Sequence, residues 1–151
     1  MKPFEFSLQA VATLRENEEA RAREGYAHAV RLHRQIAAKQ QEIESGIHEN
    51  LVESGQSFGQ AVHAEKVVQI QARLRVLRAR LEEFSTEAAH LQAAVNDKWR
   101  QLVLARQRRE VVSKLRDRQF AAHQAQEVRA GQASMDEMAA LRAAGALAYK
   151  G

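Results

Sequence analysis

The side chains that could carry chemistry are few in this sequence, and their spacing does not build a catalytic or metal site. The chain has no cysteine, which excludes disulfides and thiolate metal ligands. The six histidines form no His-Glu-x-x-His motif, and His28 and His33 are five residues apart, so they would point to different faces of a helix. We expect all six to lie exposed or at the rim of the fold: His28, His33, His48, His63, His90 and His123.

The carboxylates and glycines also lack the arrangements that enzymes use. The pairs Glu18-Glu19 and Glu82-Glu83 stand in long polar stretches that predict no cleft around them. The glycines form no phosphate-binding loop, and there is no Gly-x-Ser-x-Gly sequence. The sequence therefore predicts a protein that is not an enzyme and that needs no cofactor and no metal.

The composition predicts long helices. Proline occurs once, at Pro3, aromatic residues make up 5% of the chain, and Ala, Arg, Glu, Gln and Leu dominate. No window approaches the ~18 apolar residues of a membrane span, and no apolar segment of a signal peptide follows Met1. We therefore expect a soluble all-α protein.

The clearest pattern is a heptad frame in the second half of the chain. Apolar residues, most of them large, recur at alternating steps of three and four from Val67 to Ala105, with Lys98 as the one charged member. This spacing is typical of a helix that packs one seam against a partner helix. The members are Val67, Ile70, Leu74, Leu77, Leu81, Phe84, Ala88, Leu91, Val95, Lys98, Leu102 and Ala105.

The first half repeats this frame more weakly from Leu8 to Gly46, with small or charged residues in its middle. Gly55, within a polar segment, is the best break between the two frames, and Ser57 with Gln60 resembles a capping box. The helix could also continue through this point. The prediction is a long antiparallel coiled-coil hairpin with helices over 4–50 and 58–130 and a turn over 51–57.

The end of the chain predicts a further element. Gly131 would stop the second helix, and the Ser134–Glu137 capping pattern would start a short C-terminal helix over 135–147, all within one domain over 1–151. A turn near Ser54 would place residue i opposite roughly residue 109 − i, so that Val11 meets Lys98. The second helix would then project past its partner after Ala105.

A basic stretch lies where this projection would begin. Eight basic residues stand against two acids between Lys98 and Arg118, although the net charge of the chain is only +4. The stretch is either a solvated helix face or a binding surface for an acidic partner. Nucleic acid is a competing partner, but the stretch lacks interleaved aromatic residues. Trp99, at its start, could either cover the seam edge or contact a partner. The candidate binding residues are Arg106, Arg108, Arg109, Lys114, Arg116 and Arg118.

Three segments, taken in order, resemble the flagellar export protein FliJ family over nearly the whole chain. They are the opening Phe4-x-Phe6-x-Leu8-x-x-Val11-x-x-Leu14-Arg15-x-x-Glu18-Glu19, the run from Lys98-Trp99 through Arg108-Arg109-Glu110 to Leu115-Arg116-Asp117-Arg118-Gln119, and the late Met135-Asp136-Glu137-Met138-Ala139. The alanine-rich tail after Gly145 departs from the family pattern.

The resemblance implies a cytoplasmic stalk and adaptor of the flagellar type III export apparatus, at the inner face of the cell membrane. Its partners would be the hexameric export ATPase, the export-gate membrane protein and export chaperones. From the character of the basic stretch, we expect no nucleic acid as a partner. The resemblance also implies a gate contact near Ile70 and Leu74, which the heptad frame instead assigns to the seam. The stalk of an injectisome, a generic coiled-coil tether and a nucleic-acid binder remain the alternatives.

Overall fold

Two long helices make up the fold. The computed structural model describes residues 3–57 and 64–149, in which α1 spans Gln9–Ser57 and α2 spans Ala64–Ala148, with no strand between them. The helices pack against each other as an antiparallel pair, since Gly25 lies against Lys98 while Gly46 lies against Leu77. The prediction of an all-α helical hairpin is confirmed.

The chain divides into two compact units. One unit consists of Met1–Glu19 and Ala105–Gly151, and the other consists of Ala20–Leu104. Each unit therefore contains part of both helices. The assignment of the whole chain to one domain stays a prediction.

The heptad frame of α2 forms the buried seam. Each frame position from Val67 to Ala105 is buried or half-buried, and Ile70 and Leu74 are among the most buried residues. In α1, Ala29 and Ile36 of the weaker frame are buried as well. Two helices can bury only one stripe each, so the core is this seam and the remaining faces are exposed.

The predicted register of the two helices is wrong, although the frame is right. A Cβ on Gly25 would lie 3.7 Å from Cδ of Lys98, so Lys98 faces Gly25 and not Val11. Residue i thus lies opposite roughly residue 123 − i, a displacement of roughly 14 residues, or two heptads. A shift by whole heptads keeps the same positions in the seam, which is why the sequence pattern could not detect it.

The predicted turn over 51–57 is also wrong, because these residues form the last turns of α1. Residues 58–63 lie outside the described residues, and so does the predicted start of the second helix at Phe58. Gly55 has no positive φ and stays helical. A helical glycine costs only about 1 kcal/mol relative to alanine, which good helix formers such as Leu51 and Gln56 can offset.

The first residues do not form the predicted helix from residue 4, since α1 begins at Gln9. Phe6 is buried, and the ring of Phe4 lies 5.3 Å from that of Phe120 and 5.6 Å from that of His123. The Gln9 amide donates to the Phe6 carbonyl at 3.1 Å. Burial of Phe6 and packing of Phe4 against α2 outweigh helix propensity in this segment.

The predicted short C-terminal helix is not a separate element. Residues 135–147 belong to α2, which runs unbroken through Gly131 to Ala148. The Ser134–Glu137 pattern therefore caps nothing, and Gly131 does not take the left-handed conformation that ends many helices. The alanines, Gln132 and Arg129 around it favour helix enough to carry the chain through one glycine.

Candidate functional site

The basic stretch does not project beyond α1 as predicted. Arg109 contacts Glu19, and Phe120 contacts Phe4, so the N-terminal part of the chain accompanies α2 through this stretch. The error follows from the misplaced turn, which shortened the predicted partner helix. The exposed extension of α2 begins later, because every described residue from 128 to 149 is exposed.

Arg109 is committed to a contact within the chain. Its Nε donates a hydrogen bond to Oε2 of Glu19, whose side chain is only 8% exposed. Arg109 continues the heptad frame, because it follows Ala105 by four residues. A hydrogen-bonded ion pair replaces apolar contact at this level of the seam, and Arg109 is therefore not a free binding residue.

The other candidate residues of the basic stretch lie on the surface. Arg106 donates to Glu110 at 3.1 Å in an exposed i,i+4 pair, the kind of contact that adds little stability. Arg116 lines a small cleft together with Ala12, Glu16, Arg109 and Ser113. Among the six candidate residues, the exposed cations without an ion pair to another described residue are Arg108, Lys114, Arg116 and Arg118.

The two predicted gate-binding residues lie in the seam. Ile70 is 2% exposed and Leu74 is 8% exposed, so a partner could touch little of either side chain. Beside them lies an open groove that the sequence pattern did not predict. It is lined by Asn50, Ala72, Arg73, Val76 and Leu77.

Two polar side chains, those of Asn50 and Arg73, are among the residues that line this groove. Asn50 donates from Nδ2 to the Gly46 carbonyl at 2.7 Å, and its buried Oδ1 has no hydrogen-bond partner among residues 3–57 and 64–149. Arg73 belongs to a cluster of four exposed arginines with Arg75, Arg78 and Arg80. The sequence carried a signal for this cluster, because residues 66–81 contain five basic residues and no acid.

Trp99 and His123 have defined neighbours. The Trp99 ring lies 5.3 Å from that of Tyr26, so it packs against α1 at the edge of the seam. Trp99 is also 52% exposed, so about half of its side chain is accessible to solvent. His123 Nε2 lies 3.9 Å from Oε1 of Glu127, one helical turn away. This pair was not among the sequence predictions.

The described residues contain no group of three or more histidine, cysteine, aspartate or glutamate side chains that could hold a metal ion. Within the same residues, neither helix is apolar enough over a sufficient length to cross a membrane. Three surfaces remain as candidate sites: the exposed cations of the basic stretch, the groove and arginine cluster near the end of α1, and the extension of α2.

Comparison with known proteins decides the family. The model of the family described as "Flagellar FliJ protein" matches residues 4–147, which is nearly the whole chain. The chain belongs to the flagellar FliJ family. No match was found among curated proteins or among solved structures. Membership makes this FliJ-family chain a component of the flagellar protein export apparatus, in which the family is non-catalytic.

Proposed function

We propose that this FliJ-family chain is a stalk and adaptor that binds the hexameric export ATPase and the export gate and supports delivery of chaperone–substrate complexes. The family match over residues 4–147 carries the proposal. The helical hairpin supports it, because two packed helices offer long binding faces. We propose a cytoplasmic location at the inner face of the cell membrane, and no enzymatic activity or cofactor of its own.

The proposed ATPase contact uses the exposed cations of the basic stretch. Arg108, Lys114, Arg116 and Arg118 are exposed on α2. Arginine forks form paired hydrogen bonds with carboxylates, which suits an acidic lining of a protein ring. Arg106 and Arg109 are also candidates from the sequence, but Arg106 already contacts Glu110 and Arg109 already contacts Glu19.

The proposed gate contact lies in the region of Ile70 and Leu74. Because both side chains are buried, we propose that the gate touches the neighbouring groove at Ala72, Val76 and Leu77. Ile70 and Leu74 would then support that surface from the seam. Their replacement would weaken gate binding through the packing beneath it.

The decisive experiment mixes the purified chain with the cognate flagellar ATPase. Hexamer formation is followed by light scattering, and ATP turnover by phosphate release. The proposal expects the chain to promote both. A stalk of an injectisome would instead act on the injectisome ATPase, and a nucleic-acid binder would leave both ATPases unchanged while shifting DNA in a gel. Either of these results would replace the proposal.

A further inference from the structure

Near its start, α2 is apolar on two opposite faces. One face is the seam with Ile70, Leu74 and Leu77. The other carries Val68, Ala72, Val76 and Ala79, which recur at steps of four, four and three and therefore share one face. At ~100° per residue this outer stripe lies roughly opposite the seam.

The outer stripe is uncovered within the described structure. Val68 is 63% exposed and Val76 is 55% exposed, and both alanines are exposed as well. The outward face of a surface helix normally carries polar and charged residues. A helix with two apolar faces over the same three turns has the pattern of a helix that packs against neighbours on both sides.

Arginines border the stripe on both sides. The helical spacing places Arg73 and Arg80 along one edge, and Arg75 and Arg78 along the other. All four are exposed, and no hydrogen bond or ion pair joins them to another described residue, whereas Lys66 pairs with Glu53 at 3.8 Å. Their charges are therefore available to a partner.

We infer that the outer stripe of α2 is the docking face for an acidic amphipathic helix of a partner protein. The apolar side of that helix lies on Val68, Ala72, Val76 and Ala79, and its flanking carboxylates meet the arginines on both edges. Two alanines in the stripe allow the two helix axes to approach closely. The stripe covers about three turns, so the docked segment is roughly 11–14 residues long.

The chemistry of the face favours a helix over the other partners of a basic surface. The outer stripe consists of valines and alanines, without the large apolar or aromatic side chains that insert into a lipid surface. An apolar stripe gains nothing from phosphates, so nucleic acid would use only the arginines. An acidic amphipathic helix uses both parts of the face. The inference rests on the proposed adaptor function, and it specifies the chemistry of a partner near the groove.

The test uses the full chain and two synthetic helical peptides of about 16 residues, roughly four turns. Each peptide carries one leucine stripe, flanked by glutamates in the first peptide and by lysines in the second. Fluorescence anisotropy should detect binding of the glutamate peptide only. We expect Val76→Asp, and separately Arg75→Glu with Arg80→Glu, to weaken this binding at least tenfold. The matched control, Arg116→Glu with Arg118→Glu, makes the same charge change elsewhere on α2 and should leave binding within about twofold.

Several results would overturn the inference. One is failure of the glutamate peptide to bind the unmodified chain, and another is equal binding by the Val76→Asp variant. A third is binding to vesicles of phosphatidylglycerol, dependent on Arg75 and Arg80, without binding to the peptide. Circular dichroism confirms that each variant is folded. If the chain stimulates the ATPase but does not bind the glutamate peptide, only this inference fails. If it binds the peptide but no export component, the proposed function fails and the docking face stands.

Discussion

Arg109 and Glu19 are joined by a hydrogen bond across the seam, although they are separated by 90 residues of sequence. The carboxylate is almost buried, and the guanidinium is about one third exposed. A polar pair inside an otherwise apolar seam can fix the register of two helices, because sliding by one heptad separates the two charges. This contact also shows that the basic stretch is packed against the N-terminal part of the chain.

Replacement of Arg109 should destabilise the unit that consists of Met1–Glu19 and Ala105–Gly151. Arg109→Ala removes a charge-assisted hydrogen bond to a buried carboxylate, for which we expect a loss of about 2 kcal/mol in the free energy of unfolding. Urea unfolding followed by circular dichroism measures it. The control is Arg108→Ala, an exposed neighbour without such a contact, which should stay within about 0.5 kcal/mol of the parent. Equal effects of the two variants would show that the pair contributes nothing.

The seam should not tolerate a charge, while the outer face should. Leu77 lies against Gly46 in the seam, and Leu77→Asp should cost about 3 kcal/mol because a carboxylate would enter an apolar contact. The adjacent Val76 is 55% exposed, so Val76→Asp should leave the melting temperature nearly unchanged. An unchanged melting temperature for Leu77→Asp would refute the seam.

The gate-binding prediction can be separated from stability. Ile70→Ala should lower the free energy of unfolding by about 2–4 kcal/mol, since Ile70 is among the most buried residues of the chain. Val68→Ala removes an exposed side chain and should have little effect on folding. Binding to the export gate is then measured by pull-down for Ile70→Ala, Leu74→Ala and Val68→Ala, at a temperature where all three variants are folded. Full gate binding by both seam variants would move the contact away from this region.

Because α2 runs unbroken through Gly131, we predict that alanine at this position does not destabilise the helix. No atom lies within 4 Å of a Cβ built on Gly131, so Gly131→Ala meets no steric clash and should stabilise the local helix by about 1 kcal/mol. Amide hydrogen exchange over residues 128–148 should slow accordingly. The control, Gly131→Pro, should speed exchange there. Faster exchange in the alanine variant would favour a helix break at this position.

Charge reversal tests the proposed ATPase surface without disturbing the seam. Arg108→Glu, Lys114→Glu and Arg118→Glu together should preserve helicity, abolish stimulation of the ATPase and make residual binding less sensitive to salt. A matched triple reversal at Arg73, Arg75 and Arg80 should retain the stimulation. Normal stimulation by the first variant would show that the basic stretch is only a solvated face. The nucleic-acid alternative predicts a different result: the unmodified chain binds DNA with a steep salt dependence, and the reversed variant loses this DNA binding but still binds the ATPase.

The sequence by itself determined the fold class and the seam. Steps of three and four from Val67 to Ala105 can be satisfied only by a helix with one buried stripe, and every position of that stripe is buried or half-buried in the structure. The order of motifs from Phe4 to Met138 also indicated the family. The heptad frame is a local property, because each of its steps joins residues about one helical turn apart. The family resemblance depends on several such short segments taken in order along the chain.

Only the tertiary structure decided the register, the turn and the identity of the free surfaces. A heptad frame is unchanged by sliding one helix through whole heptads, so the sequence could not distinguish Val11 from Gly25 as the neighbour of Lys98. Glycine is compatible with both a turn and a helix, so Gly55 and Gly131 did not reveal which one the packing selects. The availability of Arg109 and Ile70 to partners depended on these choices, because burial follows from which residues of the other helix lie opposite.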